Sequence, residues 1–210
     1  MMRPVSNSRR HLGLPVVALL GCAALPAQAQ APQAPPGIQA PAASTSEEWN
    51  KKLSGFETAP ELDLPELRKE LAERIKSRTE PVPGKRPPAV PQLSRLPQLV
   101  AEILFDDDVA VVRPESYRVL GRLADTLSHP SMLGYKFLIV GHVPASGRRD
   151  HNLILSQRRA DVIRDVLVNT FKLSSKRLQS IGLGEEQLLD RGRPTAPVNA
   201  QTHVMTVGKM

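Results

Sequence analysis

The chain has 210 residues, 20 of them proline, with 3% aromatic residues and a formal net charge of +7. This length suits one domain with a modest aliphatic core, plus extensions. Three of the positive charges, Arg3, Arg9 and Arg10, lie near the N-terminus, and the weak basic bias of the rest does not indicate a nucleic-acid surface. We therefore expect no nucleic-acid partner.

Residues 1–29 have the pattern of an export signal. A positively charged start is followed by the apolar stretch "LGLPVVALLGCAAL" and by "AQA" at Ala27–Ala29, the small residues that a signal peptidase requires. The apolar stretch is shorter than the ~20 residues that span a bilayer. We predict an exported protein of the periplasm or outer membrane, and an uncleaved N-terminal membrane anchor is the alternative.

Cys22 is the only cysteine, and "LLGC" before it resembles a lipoprotein box. A lipidated cysteine would become the mature N-terminus and tether the protein to a membrane. The alternative, which the "AQA" site favours, is a cysteine that is lost with the signal. We expect a membrane contact only if Cys22 is lipidated.

Residues 30–95 read as a Pro/Ala-rich linker that cannot bury enough surface to fold. Its insert "SEEWNKKL" (Ser46–Leu53) predicts no more than a short transient helix, with Trp49 exposed. A second segment, 63–78, predicts the one real helix of the linker. Asp63 is suited to cap it and Pro65 suits its first turn.

Residues 96–210 have the periodicity of a folded domain. Strands are predicted at Leu99–Phe105, Tyr135–Gly141, Arg177–Gly184 and Thr202–Gly208. A turn at Asp106–Asp108 separates the first strand from a helix, and a second helix is predicted over Asn152–Thr170. The order β-α-β-α-β-β predicts an α+β fold with the helices on one face of a small mixed sheet.

One arginine of the second helix lies on the side expected to be apolar. Projection of Asn152–Thr170 places Arg159 among Leu155, Ala160 and Ile163, whereas Arg158 lies outside this face, where Asp161 is in reach for an ion pair. A partly buried guanidinium needs an anion or several carbonyls. Arg159 therefore either forms internal bonds or binds an external carboxylate.

The stretches "VGHVPASG", "NLILSQRRADVIRDVLV" and "RLQSIGLGEE" resemble the C-terminal domain of outer-membrane protein A, which peptidoglycan-associated lipoproteins and flagellar stator proteins share. The family pattern is roughly GHTD-x-x-G, then N-x-x-LS-x-x-RA-x-x-V, then G-x-GE. The matching residues are Gly141, His142, Gly147, Asn152, Leu155, Ser156, Arg159, Ala160, Val162, Gly182, Gly184 and Glu185.

The resemblance implies an OmpA-like domain that binds peptidoglycan non-covalently. Such a domain holds the diaminopimelate of the stem peptide with an acid for its ammonium and an arginine for its carboxylate, here Arg159. Pro144 stands in the place of the acid, so we expect weak or undetectable binding. Asp150 is a possible substitute, although a solvated loop acid paired with Arg148 or Arg149 is the simpler interpretation.

Two further features complete the expected site. Asp108, in the turn after the first strand, approaches the family's pocket, with helix capping as the alternative. The predicted ligand-binding residues are Arg159, Asn152, Gly147, Asp150 and Asp108. Thr202 and His203 stand where the family has a pair of arginines, one of them close to the ligand.

Enzymatic chemistry has little support in the sequence. His142, His151 and His203 are scattered without metal spacing, Ser156 has no nucleophile elbow, and "GLGEE" lacks the lysine of a phosphate loop. We expect no catalysis, cofactor or metal. The first hypothesis is a cell-wall anchoring domain. The second is a degenerate domain that has lost the clamp and binds other envelope proteins, and an exported hydrolase is a distant third.

Overall fold

The computed structural model describes residues 45–55, 62–77 and 81–210. All of them belong to one compact unit, Ala42–Met210. The predicted export signal at 1–29, with Cys22, and the linker residues 30–44 lie outside the described residues.

The domain is built on a four-stranded mixed sheet. Its strands are β1 (Gln98–Ala101), β2 (Tyr135–Gly141), β3 (Leu178–Gly182) and β4 (Thr202–Lys209), in the spatial order β1-β4-β2-β3. β4 is antiparallel to β1 and β2, and β2 is parallel to β3. As a result β1, β2 and β3 all end at the same end of the sheet, where β4 begins.

Four helices pack on this sheet: α1 (Ser46–Leu53), α2 (Leu64–Lys76), α3 (Tyr117–Ser128) and α4 (Arg149–Asn169). The order from β1 onward, β-α-β-α-β-β, and the α+β class are the predicted ones and are confirmed. α4 begins three residues before the predicted Asn152. β1 ends at Ala101 rather than Phe105, and Phe105 forms only an isolated bridge to Val112.

Both faces of the sheet are covered, because side chains alternate along each strand. Phe137 and Ile139 of β2 face a core formed with α1, α3 and α4, whereas Leu138 and Val140 face a second cluster. The first face carries α3 and α4, as expected. The second is covered by α2 and the turns around Val90 and Leu93, which the sequence did not predict.

The described parts of the predicted linker are packed on the domain. Asp63 caps α2, since its side chain accepts a hydrogen bond from the Glu66 amide at 3.1 Å, which confirms this helix. The expectation of a transient helix with an exposed Trp49 is wrong. Thr45 and Glu48 form a capping box for α1, and Trp49 is buried in the first core. The i, i+4 spacing of Trp49 and Leu53 places both side chains on one helix face.

Two glycines let α4 approach the ends of the central strands. A Cβ atom on Gly141 would collide with the backbone of Ser156, and one on Gly182 with the backbone of Gln157. Hydrogen bonds hold this close contact, from the Gly182 amide to Gln157 Oε1 at 2.9 Å and from the Gly184 amide to Ser156 Oγ at 2.8 Å. The loops that follow β2 and β3 are therefore fixed against the first half of α4.

Candidate functional site

Arg159 lies on α4 beneath the loop that follows β1. Its Nε donates to the Val109 carbonyl at 3.0 Å and its Nη2 to the Asp106 carbonyl at 3.1 Å. The guanidinium carbon stands 4.8 Å from the centre of the Phe105 ring. Burial lowers the pKa of Arg159, and the charges of Asp108 and Asp107 oppose this. The sequence left open whether Arg159 forms internal bonds or binds an external carboxylate. The bonds to loop carbonyls engage two of the five N–H donors of its guanidinium.

Asp108 lies at the tip of the same loop and is the centre of an exposed ion cluster. Its backbone has a φ of 58°, in the left-handed region. Its carboxylate accepts from His151 Nε2 at 2.6 Å and from Arg148 Nη2 at 3.1 Å. The hydrogen bonds from His151 and then Arg148 lower the pKa of Asp108. Asp108 and Arg159 thus meet at the loop after β1, with Asp108 in the loop and Arg159 on α4. The described contacts include no direct ion pair between them.

Asp150 is exposed in the first turn of α4. Its predicted partners have other contacts, since Arg148 pairs with Asp108 and Arg149 pairs with Glu186. The contacts described for these residues include no pair with Asp150, so its pairing with either arginine stays a prediction. A carboxylate at this position is favourable for the helix dipole.

The expected pair between Arg158 and Asp161 is also not formed. Asp161 Oδ1 instead accepts hydrogen bonds from Gln157 at 2.9 Å and from Ser180 at 2.6 Å. Gln157 lies on the side of α4 that packs on β3, so Asp161 serves the helix–sheet contact. The exposed Arg158 is left without this predicted partner.

Asn152 is buried behind the loop that follows β2. Its Nδ2 donates to Glu185 Oε2 at 2.6 Å and reaches the Pro144 carbonyl at 3.5 Å, while its Oδ1 accepts from Ser146 Oγ at 2.9 Å. Gly147 in the same loop has a φ of +79°, which favours glycine. The structure thus places Asn152 and Gly147 as residues that shape the loop around Pro144.

A buried ion network, which the sequence analysis missed, fastens this end of the domain. Glu186 accepts from Arg149 Nε and Nη2, both at 2.8 Å, and from Arg86 at 3.2 Å. Arg86 also donates to Glu185 at 2.7 Å, and Arg74 of α2 lies 3.5 Å from Glu186. The adjacent glutamates of "GLGEE" were a possible signal, but nothing local links them to Arg86, a hundred positions away.

His142 and His203 come together in the structure. The rings of His142 and His203 lie 4.8 Å apart, although the sequence suggested that they are scattered. His151 belongs to the Asp108 cluster instead. Within residues 45–55, 62–77 and 81–210, no group of three or more His, Cys, Asp or Glu residues could hold a metal ion.

The comparisons with known proteins concern the part of the chain that carries this geometry. Residues 104–201 match the OmpA family. The outer membrane porin F of Pseudomonas aeruginosa is 32% identical over 98 residues, which are 46% of this chain and 27% of the porin. The peptidoglycan-associated lipoprotein of Brucella melitensis is 33% identical over 100 residues, 48% of this chain and 54% of that protein.

Among solved structures, the OmpA-like domain of FopA1 from Francisella tularensis matches with a TM-score of 0.45 and 16% identity, over 54% of this chain and 73% of that one. The chain spans about half the length, or less, of the curated relatives described above. The family match covers the loop after β1, all of α3 and α4, and the "GLGEE" turn. Residues 104–201 of this chain are an OmpA family domain.

Proposed function

We propose that the OmpA family domain of this chain associates non-covalently with peptidoglycan, as part of a non-catalytic protein of the cell envelope. The observation that carries the proposal is the likeness of this segment to proteins named peptidoglycan-associated lipoprotein. Those of Mesorhizobium japonicum and Brucella melitensis are 35% and 33% identical to it.

Arg159 is the proposed contact for a carboxylate of the peptidoglycan stem peptide. The planar guanidinium is held in place by two loop carbonyls and by Phe105, so little side-chain entropy remains to be lost on binding. Its other N–H donors supply charge-assisted hydrogen bonds to a carboxylate. Asn152 and Gly147 support this contact by fixing the adjacent loop.

The ammonium group of the ligand is the weaker side of the proposed site. Pro144 carries no charge, and the two acids proposed as substitutes are Asp108, in the loop after β1, and Asp150, in the first turn of α4. Asp108 already accepts from Arg148 and His151, so an ammonium would compete with both. We expect weak binding for this reason.

Pro144 also favours a second candidate function. A domain that has kept the fold and lost the clamp would act as an envelope scaffold that binds other proteins. In that case the Arg159 contacts serve only to hold the loop after β1.

Export to the periplasm or outer membrane belongs to the same proposal. It is supported by the signal pattern at 1–29 and by relatives such as the outer membrane porin F. Among the described residues, the helices lack the length or the hydrophobicity of a membrane span.

Retention of the full chain on insoluble peptidoglycan, with and without free diaminopimelate as competitor, tests the proposal. We expect Arg159→Ala to lower retention at least tenfold, about 1.4 kcal/mol, with a cost to unfolding of about 1 kcal/mol for the lost carbonyl bonds. Arg158→Ala is the matched control, because Arg158 is the exposed neighbour on the same helix. Equal retention of the two variants would favour the scaffold function.

A further inference from the structure

A cavity with several polar side chains in its lining lies at the end of the sheet where β2 ends and β4 begins. It has a volume of ≈ 220 Å³, and its lining includes His142, His203, Gln98, Gln187, Gln201 and Leu188. The volume is below the ~300 Å³ at which pockets for drug-sized ligands begin. The cavity therefore suits one small chemical group rather than a whole disaccharide.

Two side chains of the lining have buried polar atoms with unmet hydrogen bonds. The Gln187 backbone is near enough to His142 to raise its pKa, but neither ring nitrogen reaches hydrogen-bond geometry with a described residue, nor does Gln201 Oε1. His142 is only 7% exposed. A buried polar group without a partner costs about 1–3 kcal/mol. A ligand in the cavity could supply these missing hydrogen bonds.

The cavity offers both donors and acceptors but no charge. Burial, the neighbouring His203 and an opposing contribution from the Gln187 backbone set the pKa of His142 to about 3, so its neutral ring presents one donor and one acceptor. His203 Nδ1 lies 2.9 Å from Gln98 Oε1. With the Gln98 amide in this orientation, Nδ1 of a neutral His203 donates to the oxygen and Nε2 is a further acceptor.

These features specify the chemistry of the occupant. A charged ligand would leave water without a counter-ion, because no Asp, Glu, Lys or Arg lines the cavity among the described residues. A neutral secondary amide has an N–H for an imidazole acceptor and a carbonyl for an imidazole N–H. An acetamide adds a methyl group, which suits Leu188 and Leu189 at the apolar part of the lining.

We infer that this cavity binds a neutral acetamide group, namely the N-acetyl group of a peptidoglycan amino sugar. The inference rests on the proposed function for the identity of the polymer. The loop that holds Arg159 follows β1, and His142 follows β2, so the two sites share one end of the sheet. The cavity and Arg159 lie on opposite faces of the sheet, because His203 shares a face with Met205 of the second cluster, whereas α4 covers the first face. A ligand that occupies both sites would have to extend around this end of the sheet, as a stem peptide with its attached sugar would.

The first test uses the full chain labelled with ¹⁵N-histidine and titrated with N-acetylglucosamine. We expect saturable shifts of the His142 and His203 imidazole signals. Glucosamine, which has an ammonium in place of the acetamide, should cause none. N-acetyl-D-alanine amide carries the same acetamide on a peptide, so its affinity relative to that of N-acetylglucosamine shows which carrier the cavity prefers. Identical shifts with glucosamine, no saturable shift, or binding of the peptide amide as tight as or tighter than that of the sugar would overturn the inference.

Variants then assign the binding to the cavity. His142→Phe keeps a ring of similar size without nitrogens, and Gln201→Leu removes the second unmet acceptor. Each should weaken N-acetylglucosamine binding at least tenfold, whereas Arg158→Ala should leave it unchanged. If His142→Phe does not fold, Gln201→Leu and the comparison of the two sugars on the unaltered protein still test the inference. Unweakened binding by Gln201→Leu would then overturn it.

The inference and the proposed function fail in different ways. Binding of N-acetylglucosamine without retention on insoluble peptidoglycan would support the cavity site and contradict the proposed function. Retention through Arg159 without any shift with N-acetylglucosamine would support the proposed function and contradict the cavity site.

Discussion

Two adjacent arginines at the start of α4 form ion pairs that differ in solvent exposure. Arg148 pairs with Asp108, whose side chain is 51% exposed, whereas Arg149 pairs with Glu186, whose side chain is 0% exposed. Glu186 is shared by several arginines, and Asp108 is shared by Arg148 and His151. Both clusters are thus built around a shared carboxylate, and burial decides which one holds the fold together and which one is open to a ligand.

The energetic consequences of the two environments differ. In the buried network, removal of one partner leaves a charge without compensation, at a cost of about 3–5 kcal/mol. In an exposed cluster, water and salt screen the charges, so ion pairs there contribute little to stability. The buried network joins Arg74 of α2, Arg86, α4 and the "GLGEE" turn, and through Glu185 and Asn152 it also reaches the loop around Pro144.

Glu186→Gln is expected to have the largest effect. It removes the charge that Arg86 and Arg149 share while keeping the size of the side chain. We expect the free energy of unfolding in urea to fall by about 3–5 kcal/mol. Because Arg86 belongs to the segment that packs on the second face, limited proteolysis should also cut residues 81–96 more quickly.

A loss below about 1 kcal/mol would show that the buried network behaves like a surface pair. The comparison between the two clusters would then fail, since burial would not distinguish them.

Acid should destabilise the protein through His142. This side chain is buried, as Glu186 is, but it forms no ion pair in the described contacts. Its pKa is about 3 in the folded protein, against the ordinary histidine value of 6.5 that applies to the unfolded chain. Below pH 6.5 the unfolded chain binds the proton and the folded chain does not, so this stability is present above pH 6.5 and is lost as the pH falls toward about 3. The limiting slope is about 1.4 kcal/mol per pH unit.

The measurement is the free energy of unfolding between about pH 7 and about pH 4.5, a window within which only the unfolded chain takes up the proton, compared with that of His142→Phe. The variant should have a shallower slope. Burial also lowers the pKa of His203, so part of the slope should remain. Parallel curves for the two proteins would contradict the assignment to His142.

The sequence predicted the local features well and the distant contacts poorly. The strands, the cap at Asp63 and the position of Arg159 follow from periodicity and from nearby residues, which the chain itself displays. Trp49 was misjudged, because its burial depends on a sheet that forms some fifty residues later. The pairing of Arg86 with Glu185 joins positions 99 apart, and no local pattern announces it. The match to the OmpA family assigns residues 104–201 to that family, but it does not indicate these long-range contacts.

Pro144→Asp tests the loop that lies between the two clusters. The amides on either side of Pro144 are anchored, Val143 to the Gly184 carbonyl at 3.1 Å and Ala145 to the Pro194 carbonyl at 3.0 Å. A carboxylate introduced at this position would be held in place to accept from an ammonium. A charge-assisted hydrogen bond contributes about 1.5–3 kcal/mol, so we expect retention on diaminopimelate-type peptidoglycan to rise roughly 10- to 100-fold.

Sedimentation of both proteins with the same peptidoglycan gives the comparison. Tight binding by the unaltered protein that Pro144→Asp does not change would mean that Asp108 or Asp150 already supplies the acid. The exposed cluster would then be part of the binding site.

Asp108→Asn should have the smallest effect on stability and is the matched partner of Glu186→Gln. Hydrogen bonds from His151 and Arg148 lower the pKa of Asp108, so its contribution is present above the unfolded pKa and is lost as the pH falls through the folded one. Because the carboxylate is exposed, the released Arg148 and His151 become hydrated. We therefore expect the urea midpoint at neutral pH to stay within experimental error. A loss comparable to that of Glu186→Gln would mean that the loop after β1 depends on this cluster for its shape. An unchanged midpoint with altered peptidoglycan retention would place Asp108 in the binding site, as the exposure of the cluster leads us to expect.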